Sequence, residues 1–371
     1  MTTSERDLLR GCKRVVVKIG SQLVAEGADK LMSAISDDVA TLQNKGIEVI
    51  IVSSGAIALG REKLSFPERP KELPQLQATA SVGQNILVQQ WETAFSKHGM
   101  VIGQFLLTHD DLSSRKRFIS ARRALRALLS FDAVPIVNEN DSVGVEEITF
   151  GDNDLLAALL CNVVSADALL ILTDVDGLHD APPEQGGKRI PKVVDFETEA
   201  LPFAGHTKAE GVGTGGMLSK VQAARIATKA GVPTVVFSGR ENSPIQKALS
   251  GNDIGTVFLP REGPLSSKKH WLAYGTKPLG YLSIDDGALR AVRSKGSSLL
   301  PAGIKKVKGS FGLGDIVGLR DSNDTEIARG LAGYSSADIE KIAGHQTSEI
   351  ESILGYKYLD AVIHRDDLAL I

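Results

Sequence analysis

Short apolar runs alternate with segments of helical periodicity over roughly the first 260 residues of the chain. The runs are rich in Val, Ile and Leu and are continuous rather than alternating, as is typical of parallel strands buried on both faces. The pattern predicts strands over residues 14–19, 47–52, 101–107, 133–137, 168–172 and 234–237. It predicts helices over 33–45, 73–97, 114–129 and 217–230, and another that follows 151–154. This alternation indicates an α/β layered fold.

The pattern changes after a polar segment that contains Pro, Gly and Ser, residues 261–277. Beyond it, short strands are predicted over 280–284, 303–308, 315–319 and 326–331, and helices over 336–342 and 348–354. Gly and Asp turns separate the strands, which favours a small, mainly antiparallel β module. We therefore predict a first domain over residues 1–265, a linker over 266–277 and a second domain over 278–371.

Composition narrows the classes of function. The 371 residues carry 42 Lys and Arg against 45 Asp and Glu, a formal net charge of −3, which argues against a protein built to coat nucleic acid or an anionic membrane. No apolar run approaches the roughly 18 residues of a membrane-spanning helix, and the N-terminal residues lack the apolar segment of a secretory signal. Cys12, Cys161 and the seven histidines show no metal-binding spacing. We expect a cytoplasmic protein without a structural metal.

Polar residues follow four of the predicted strands at the point where each strand ends. They are KIGS at 18–21, SSGAIALG at 53–60, NEND at 138–141 and TDVDG at 173–177. Because ligands of an open parallel sheet bind at the carboxyl ends of its strands, four such segments indicate a shared cleft. Lys18 could place its charge on a phosphate or could simply extend to the sheet edge. Residues 53–56 could bind an anion or only cap a helix.

A glycine-rich segment, GVGTGGMLSK at 211–220, leads into a predicted helix. It contains G-x-G-x-x-G, but it follows a polar stretch rather than a strand and lacks the later acidic residue, which disfavours a dinucleotide site. Lys220 lies in the first turn, where a cation opposes the helix dipole, and this favours a phosphate-binding role. Asp152, Asn153 and Asp154 head another helix, either as capping residues or with a carboxylate that holds lysines or a Mg²⁺-bearing phosphate.

Taken together, these segments resemble the glutamate 5-kinases of the amino-acid kinase family, with a C-terminal PUA domain. The resemblance covers nearly the whole chain and rests on the order and spacing of many motifs. They are KIGS at 18, VSSGAIALGREKL at 52, LPQLQATASVGQ at 73, PIVNENDSV at 135, FGDNDLLAAL at 150, LLILTDVDGL at 169, GVGTGGMLSKVQAA at 211, RSKGSSLLPAGIKKVKGSFGLGD at 293 and IAGHQTSEIESILGY at 342. One departure is Gln22, where family members more often have a small hydroxyl residue.

The resemblance implies a three-layer αβα sandwich with a mainly parallel central sheet, plus a small, mainly-β PUA domain. It implies an enzyme that uses ATP and Mg²⁺ to phosphorylate the γ-carboxylate of L-glutamate, in the first step of proline synthesis. By motif, Lys18 and Lys220 neutralise the transferred phosphoryl group, and Asp154 orients both lysines. The implied binding residues are Ser54, Asp141 and Asn153 for glutamate, and Lys18, Thr173, Asp174, Thr214, Gly215, Gly216, Met217 and Lys220 for ATP.

The resemblance further implies a homo-oligomer (dimer or tetramer), feedback inhibition by proline, and hand-off of the product to glutamyl phosphate reductase. From the charge and the lack of an apolar span we expect no membrane partner. One alternative is another amino-acid kinase, acting on N-acetylglutamate, aspartate, carbamate or a nucleoside monophosphate. Another is a nucleotide-binding homologue without turnover. An RNA-binding PUA protein is disfavoured, because residues 275–371 hold 12 Lys and Arg against 13 Asp and Glu. The locally basic residues there are Lys305, Lys306 and Lys308.

Overall fold

The computed structural model describes residues 5–108, 111–112, 115–143, 153–205, 216–260, 272–274, 277–357 and 359–371. The chain divides into two compact units, Met1–Pro264 and Leu265–Ile371. Of the predicted linker, residues 266–271 and 275–276 lie outside the described residues. Leu272 and Ala273, within the same predicted linker, are buried in a small cluster of the second unit.

The first unit is built on an eight-stranded sheet. Its strands are β1 (Arg14–Ile19), β2 (Glu48–Ser53), β3 (Ile102–Leu107), β4 (Val134–Glu139), β5 (Ala168–Thr173), β6 (Lys192–Val193), β7 (Thr234–Ser238) and β8 (Thr256–Phe258). They are ordered β3-β4-β2-β1-β5-β7-β8-β6, and neighbours run parallel apart from the antiparallel β7 and β8. The continuous apolar runs predict six of these strands to within two residues, whereas β6 and β8 are too short to leave such a run.

The described helices of the first unit lie between these strands and beside them. They are α1 (Ser21–Gln43), α2 (Ala56–Lys63), α3 (Leu73–Ser96), α4 (Arg115–Ser130), α5 (Asn153–Val164), α6 (Phe196–Glu199), α7 (Leu201–Ala204), α8 (Met217–Lys229) and α9 (Pro244–Leu249). The predicted start of the first helix at residue 33 is wrong, since α1 begins at Ser21. Gly27, with φ 169° and ψ 65°, interrupts this helix, so the sequence before it shows no continuous helical period.

Alternate residues of the strands face two helical layers. Val15, Val17 and Ile19 of β1 belong to one core cluster that also contains side chains of α1, α3 and α9. Val16, between them, is equally buried on the opposite face, where α5 and α8 contact the sheet. The fold is therefore a three-layer αβα sandwich with a mainly parallel central sheet.

Two glycines let α2 and α3 pack with their backbones in contact. A Cβ atom on Gly60 would lie 1.9 Å from the carbonyl oxygen of Thr79, and one on Gly83 would lie 1.7 Å from that of Ala56. Both obstacles are backbone atoms, so any larger residue would push the helices apart. This close packing fixes α2 directly after the carboxyl end of β2, where the predicted cleft lies.

The second unit contains a five-stranded sheet. Its strands are β9 (Gly280–Ile284), β10 (Ile304–Gly309), β11 (Ile316–Arg320), β12 (Glu326–Leu331) and β13 (Leu368–Leu370), and its helices include α10 (Asp286–Lys295), α11 (Ser336–Ile342) and α12 (Ile350–Leu354). The strand order is β10-β9-β11-β12-β13, and the pairs are antiparallel except β9 with β11. This confirms a mainly antiparallel β module. The prediction omitted α10, although Asp285 caps it by accepting a hydrogen bond from the Ala288 N–H at 2.7 Å.

Within the described ranges, no helix is both long enough and apolar enough to cross a membrane.

Candidate active site

The carboxyl ends of four adjacent strands bring the predicted polar segments to one edge of the sheet. The strands lie in the order β4-β2-β1-β5. Lys18, near the end of β1, is in register with Val52 of β2 and Ile171 of β5. Because all four strands are parallel, the residues that follow them face the same edge.

A carboxylate and two lysines form the centre of this edge. Asp154 lies in the first turn of α5 and is 1% exposed. Its Oδ1 atom is 2.6 Å from Nζ of Lys18, and its Oδ2 atom is 3.2 Å from Nζ of Lys220. The Ser219 hydroxyl donates a hydrogen bond to Oδ2 at 2.8 Å. One carboxylate thus holds two ammonium groups that come from β1 and α8.

The charge state of this group follows from its neighbours. Burial alone would raise the pKa of Asp154, but the nearby charges of Lys18 and Lys220 and the hydrogen bonds from Lys18 and Ser219 outweigh burial and lower the pKa to about 2. Asp154 is therefore ionised at neutral pH. Among the described residues, two cations and one anion give this group a net positive charge in a largely buried place, and this arrangement suits a phosphate oxygen.

A chain of side-chain amides lies beside the charged group. Asn153 Nδ2 donates to Ser54 Oγ at 2.8 Å and to Asn138 Oδ1 at 2.9 Å. Asn138 Nδ2 in turn donates to Gln84 Oε1 at 2.8 Å. The structure therefore brings the predicted residues Ser54 and Asn153 together. Asn153 directly precedes Asp154 in α5.

Two residues of α3 contact this region and are absent from the predicted site. Besides Gln84, the Trp91 indole donates to the Ser53 hydroxyl at 3.0 Å. Gln84 and Trp91 are seven residues apart and lie on one face of the helix with Leu87. A glutamine on an otherwise apolar helix face is the signal in the sequence that could have indicated it.

Asp141 lies in the turn that follows β4. Burial raises the pKa of its carboxyl to about 6, and the charge of Arg69 offsets only part of this effect. Within the described part of the chain, Asp141 makes no hydrogen bond to Ser54 or Asn153. The Asp141 side chain is partly buried, and a carboxylate in such a place suits a cationic ligand group.

The ends of β5 and β7 form the other side of the edge. The Thr173 hydroxyl donates to Asp174 Oδ1 at 2.9 Å. The Gly239 N–H donates to the Thr173 carbonyl oxygen at 2.8 Å, and Arg240 Nη1 donates to the Asp174 carbonyl oxygen at 2.9 Å. The segment after β7 is thus a further neighbour of the predicted ATP residues that the sequence did not indicate.

The glycine-rich segment is only partly described. Gly216 precedes α8, Met217 begins it, and Lys220 lies one turn into it. Thr214 and Gly215 of the predicted ATP site lie outside the described residues, as do Asp152 and the rest of 206–215.

The described residues contain no group of three or more His, Cys, Asp or Glu side chains that could hold a metal ion. The carboxylate of Asp154 is engaged by Lys18 and Lys220. This donor set fits Mg²⁺ that is held largely by nucleotide phosphates, because Mg²⁺ commonly keeps its waters and binds few protein ligands.

Comparison with family models assigns both units to a class. Residues 13–238 match the amino acid kinase family, and residues 280–354 match the PUA domain. The first unit, with its lysine pair at the carboxyl edge of a parallel sheet, is an amino acid kinase domain. The second unit is a PUA domain.

Curated relatives narrow the class further. A glutamate 5-kinase of Trichlorobacter lovleyi is 48% identical over 372 residues, which cover 99% of this chain and 99% of the relative. A glutamate 5-kinase of Pelobacter propionicus is 44% identical over 99% of this chain and 100% of its own length. One of Caldanaerobacter subterraneus is 45% identical over 96% of this chain and 98% of its own. This chain belongs to the glutamate 5-kinase family.

Proposed function

We propose that the protein transfers the γ-phosphoryl group of ATP to the γ-carboxylate of L-glutamate, giving L-glutamyl 5-phosphate and ADP in the first step of proline synthesis. The observation that carries this proposal is the buried Lys18–Asp154–Lys220 group, one residue from the amide chain of Asn153. It supplies a phosphoryl site and an amino-acid site side by side.

The reaction needs no general base. A γ-carboxyl group with a pKa near 4.3 is already ionised at pH 7. Its oxygen attacks the γ-phosphorus as the bond from that phosphorus to the β,γ-bridging oxygen breaks, and no proton moves. Lys18 and Lys220 neutralise the charge that builds up on the phosphoryl oxygens, while Asp154 holds both ammonium groups in place. Mg²⁺, held by the nucleotide phosphates, offsets further phosphate charge when bound.

The amide chain and Asp141 bind glutamate. The Ser54 hydroxyl accepts from Asn153, which leaves the hydroxyl hydrogen to donate to a carboxylate oxygen of the substrate. The Asp141 carboxylate, with its raised pKa, pairs with the α-ammonium group. Thr173, Asp174 and residues 214–217 bind ATP together with the two lysines. These roles rest on the family motifs and on the placement of the described residues.

Product trapping tests the proposed function. The purified protein is incubated with ATP, Mg²⁺ and hydroxylamine, with glutamate, N-acetylglutamate or aspartate in separate reactions. An acyl phosphate reacts to a hydroxamate, which gives a coloured ferric complex. We expect hydroxamate from glutamate alone. Hydroxamate from another acid would show that the protein is an amino-acid kinase with a different substrate. No hydroxamate from folded, ATP-binding protein would overturn the proposal.

Titration of Asp141 should make kcat/KM for glutamate dependent on pH. Because the pKa of its carboxyl is raised to about 6, the group is protonated below that pH and can no longer pair with an ammonium ion. We expect kcat/KM for glutamate to fall about tenfold per pH unit below pH 6, since this quantity reports the free enzyme. The kcat at saturating glutamate should stay flat over the same range.

The matched variant for this test is Asp141→Asn, which removes the titrating group and keeps its size. Its kcat/KM for glutamate should be low and independent of pH between about 5 and 7. A variant profile that still falls below pH 6 would assign the titration to another group.

The family resemblance also carries several narrower proposals. The enzyme is cytoplasmic and forms a dimer or tetramer of identical chains. Proline inhibits it at or near the glutamate site, and the product passes to glutamyl phosphate reductase.

A further inference from the structure

The amide chain beside Asp154 ends on a side chain with an enclosed hydrogen-bond donor. Gln84 Oε1 accepts from Asn138 Nδ2 at 2.8 Å. The other atom of the same amide, Nε2, is buried and makes no hydrogen bond among the described residues. At the opposite end of the chain of side-chain amides, Asn153 Oδ1 is a buried acceptor that likewise has no hydrogen bond among the described residues.

Backbone groups fix the direction of this chain. The Glu139 N–H can only donate, and it donates to Asn138 Oδ1 at 2.9 Å, so Asn138 must turn its Nδ2 towards Gln84. The Ser53 carbonyl can only accept, and it lies 3.3 Å from Asn153 Nδ2. The chain therefore ends in a donor at Gln84 and an acceptor at Asn153.

These two ends are complementary to an α-amino acid. The donor at Gln84 matches a carboxylate, and the acceptor at Asn153 matches an ammonium group. A carboxylate offers only acceptors, and an ammonium group offers only donors. Enclosed polar groups without a partner are rare in folded proteins, and a bound ligand is one of the ways in which they are satisfied. Gln84 comes from α3, the helix that also supplies Trp91 to Ser53, so its position is set by the same packing that builds the cleft.

We propose that Gln84 is a specificity-determining residue of the amino-acid site, whose Nε2 group donates a hydrogen bond to the α-carboxylate of glutamate. This inference rests on the proposed function. Oε1 of Gln84 at the same time holds Asn138, which keeps Asn153 turned so that its Oδ1 atom accepts from the α-ammonium group.

Two substitutions separate ligand contact from simple support of Asn138. Gln84→Met keeps the length of the side chain and removes both polar atoms. Gln84→Glu keeps an oxygen that can accept from Asn138 but replaces the donor with a charge that repels a carboxylate. Gln89→Met makes the same chemical change at an exposed position of the same helix and serves as the control.

The readouts are the dissociation constant of glutamate, measured by calorimetry with a non-hydrolysable ATP analogue and Mg²⁺ present, and the KM for ATP. We expect both Gln84 variants to bind glutamate roughly 10- to 100-fold more weakly, the range for a hydrogen bond to a charged group. The Glu variant should be the weaker binder, and the KM for ATP should stay within about twofold. Gln89→Met should behave as the wild type does.

If Gln84→Met weakens glutamate binding and Gln84→Glu does not, Gln84 acts only by holding Asn138. If neither variant weakens glutamate binding, Gln84 neither contacts the ligand nor supports the site through Asn138. Each result overturns the inference. Thermal unfolding of each variant checks that it is folded. If Gln84→Met does not fold, Gln84→Glu alone is compared with the wild type. A wild-type protein that forms no hydroxamate from glutamate would instead overturn the proposed function, so the two failures are distinguishable.

Discussion

Replacement of Lys220 by alanine is expected to lower kcat for glutamate phosphorylation by about 10²- to 10³-fold, the loss typical of removing one preorganised transition-state donor. The reason is that Lys220, held by Asp154 at 3.2 Å, places its charge where the phosphoryl oxygens gain charge during transfer. The same loss is expected for Lys18→Ala. The KM for glutamate should change by less than about fivefold, since an interaction made in the transition state lowers kcat more than it weakens binding.

Steady-state kinetics with separate variation of ATP and glutamate measure this split. Lys229→Ala is the matched control, because Lys229 lies in the last turn of the same helix, α8, away from Asp154. It should retain wild-type turnover. Near wild-type kcat in both Lys18→Ala and Lys220→Ala would rule out the two-lysine mechanism.

The sequence allows most of the first unit to be predicted, because the central strands of its sheet are buried on both faces. A residue run such as 168–172, in which every side chain is buried and apolar, is easy to recognise. The start of α1 could not be predicted from such a pattern, because Gly27 interrupts the helix. The strands β6 and β8 could not be predicted either, because strands of two or three residues leave no pattern.

The candidate site divides in a similar way. Lys18 stands out from the sequence because a charged residue is unusual inside a buried strand, and Asp154 because it lies in an acidic segment that heads a predicted helix. The structure places Lys18 Nζ 2.6 Å from Asp154 Oδ1. Gln84 is marked only by its place on an otherwise apolar helix face, and its partner cannot be found from the sequence, since Asn138 is 54 residues away in the chain. Partnerships between side chains of distant elements depend on how those elements pack, and the packing of α2 on α3 is set by backbone contact at Gly60 and Gly83.

The largest effect is expected for Asp154→Asn, which removes a negative charge that contacts two buried lysines. The substitution keeps the size of the side chain but removes the charge that holds the ammonium groups of Lys18 and Lys220. Removing one partner of a buried ion pair typically costs about 3–5 kcal/mol, so we expect a lower thermal unfolding midpoint as well as a loss of kcat of about 10³-fold or more. Asp132→Asn, the same change at an exposed residue, should alter neither quantity.

Combination of substitutions shows whether Asp154 acts through the lysines. If its task is to hold them, Asp154→Asn combined with Lys220→Ala should lose little more kcat than the worse of the two single variants, because residues that act as a unit are not additive. The double variant should even regain some stability over Asp154→Asn, since one buried positive charge has gone. Multiplicative losses of kcat would instead mean that Asp154 has a role in the reaction that is independent of Lys220.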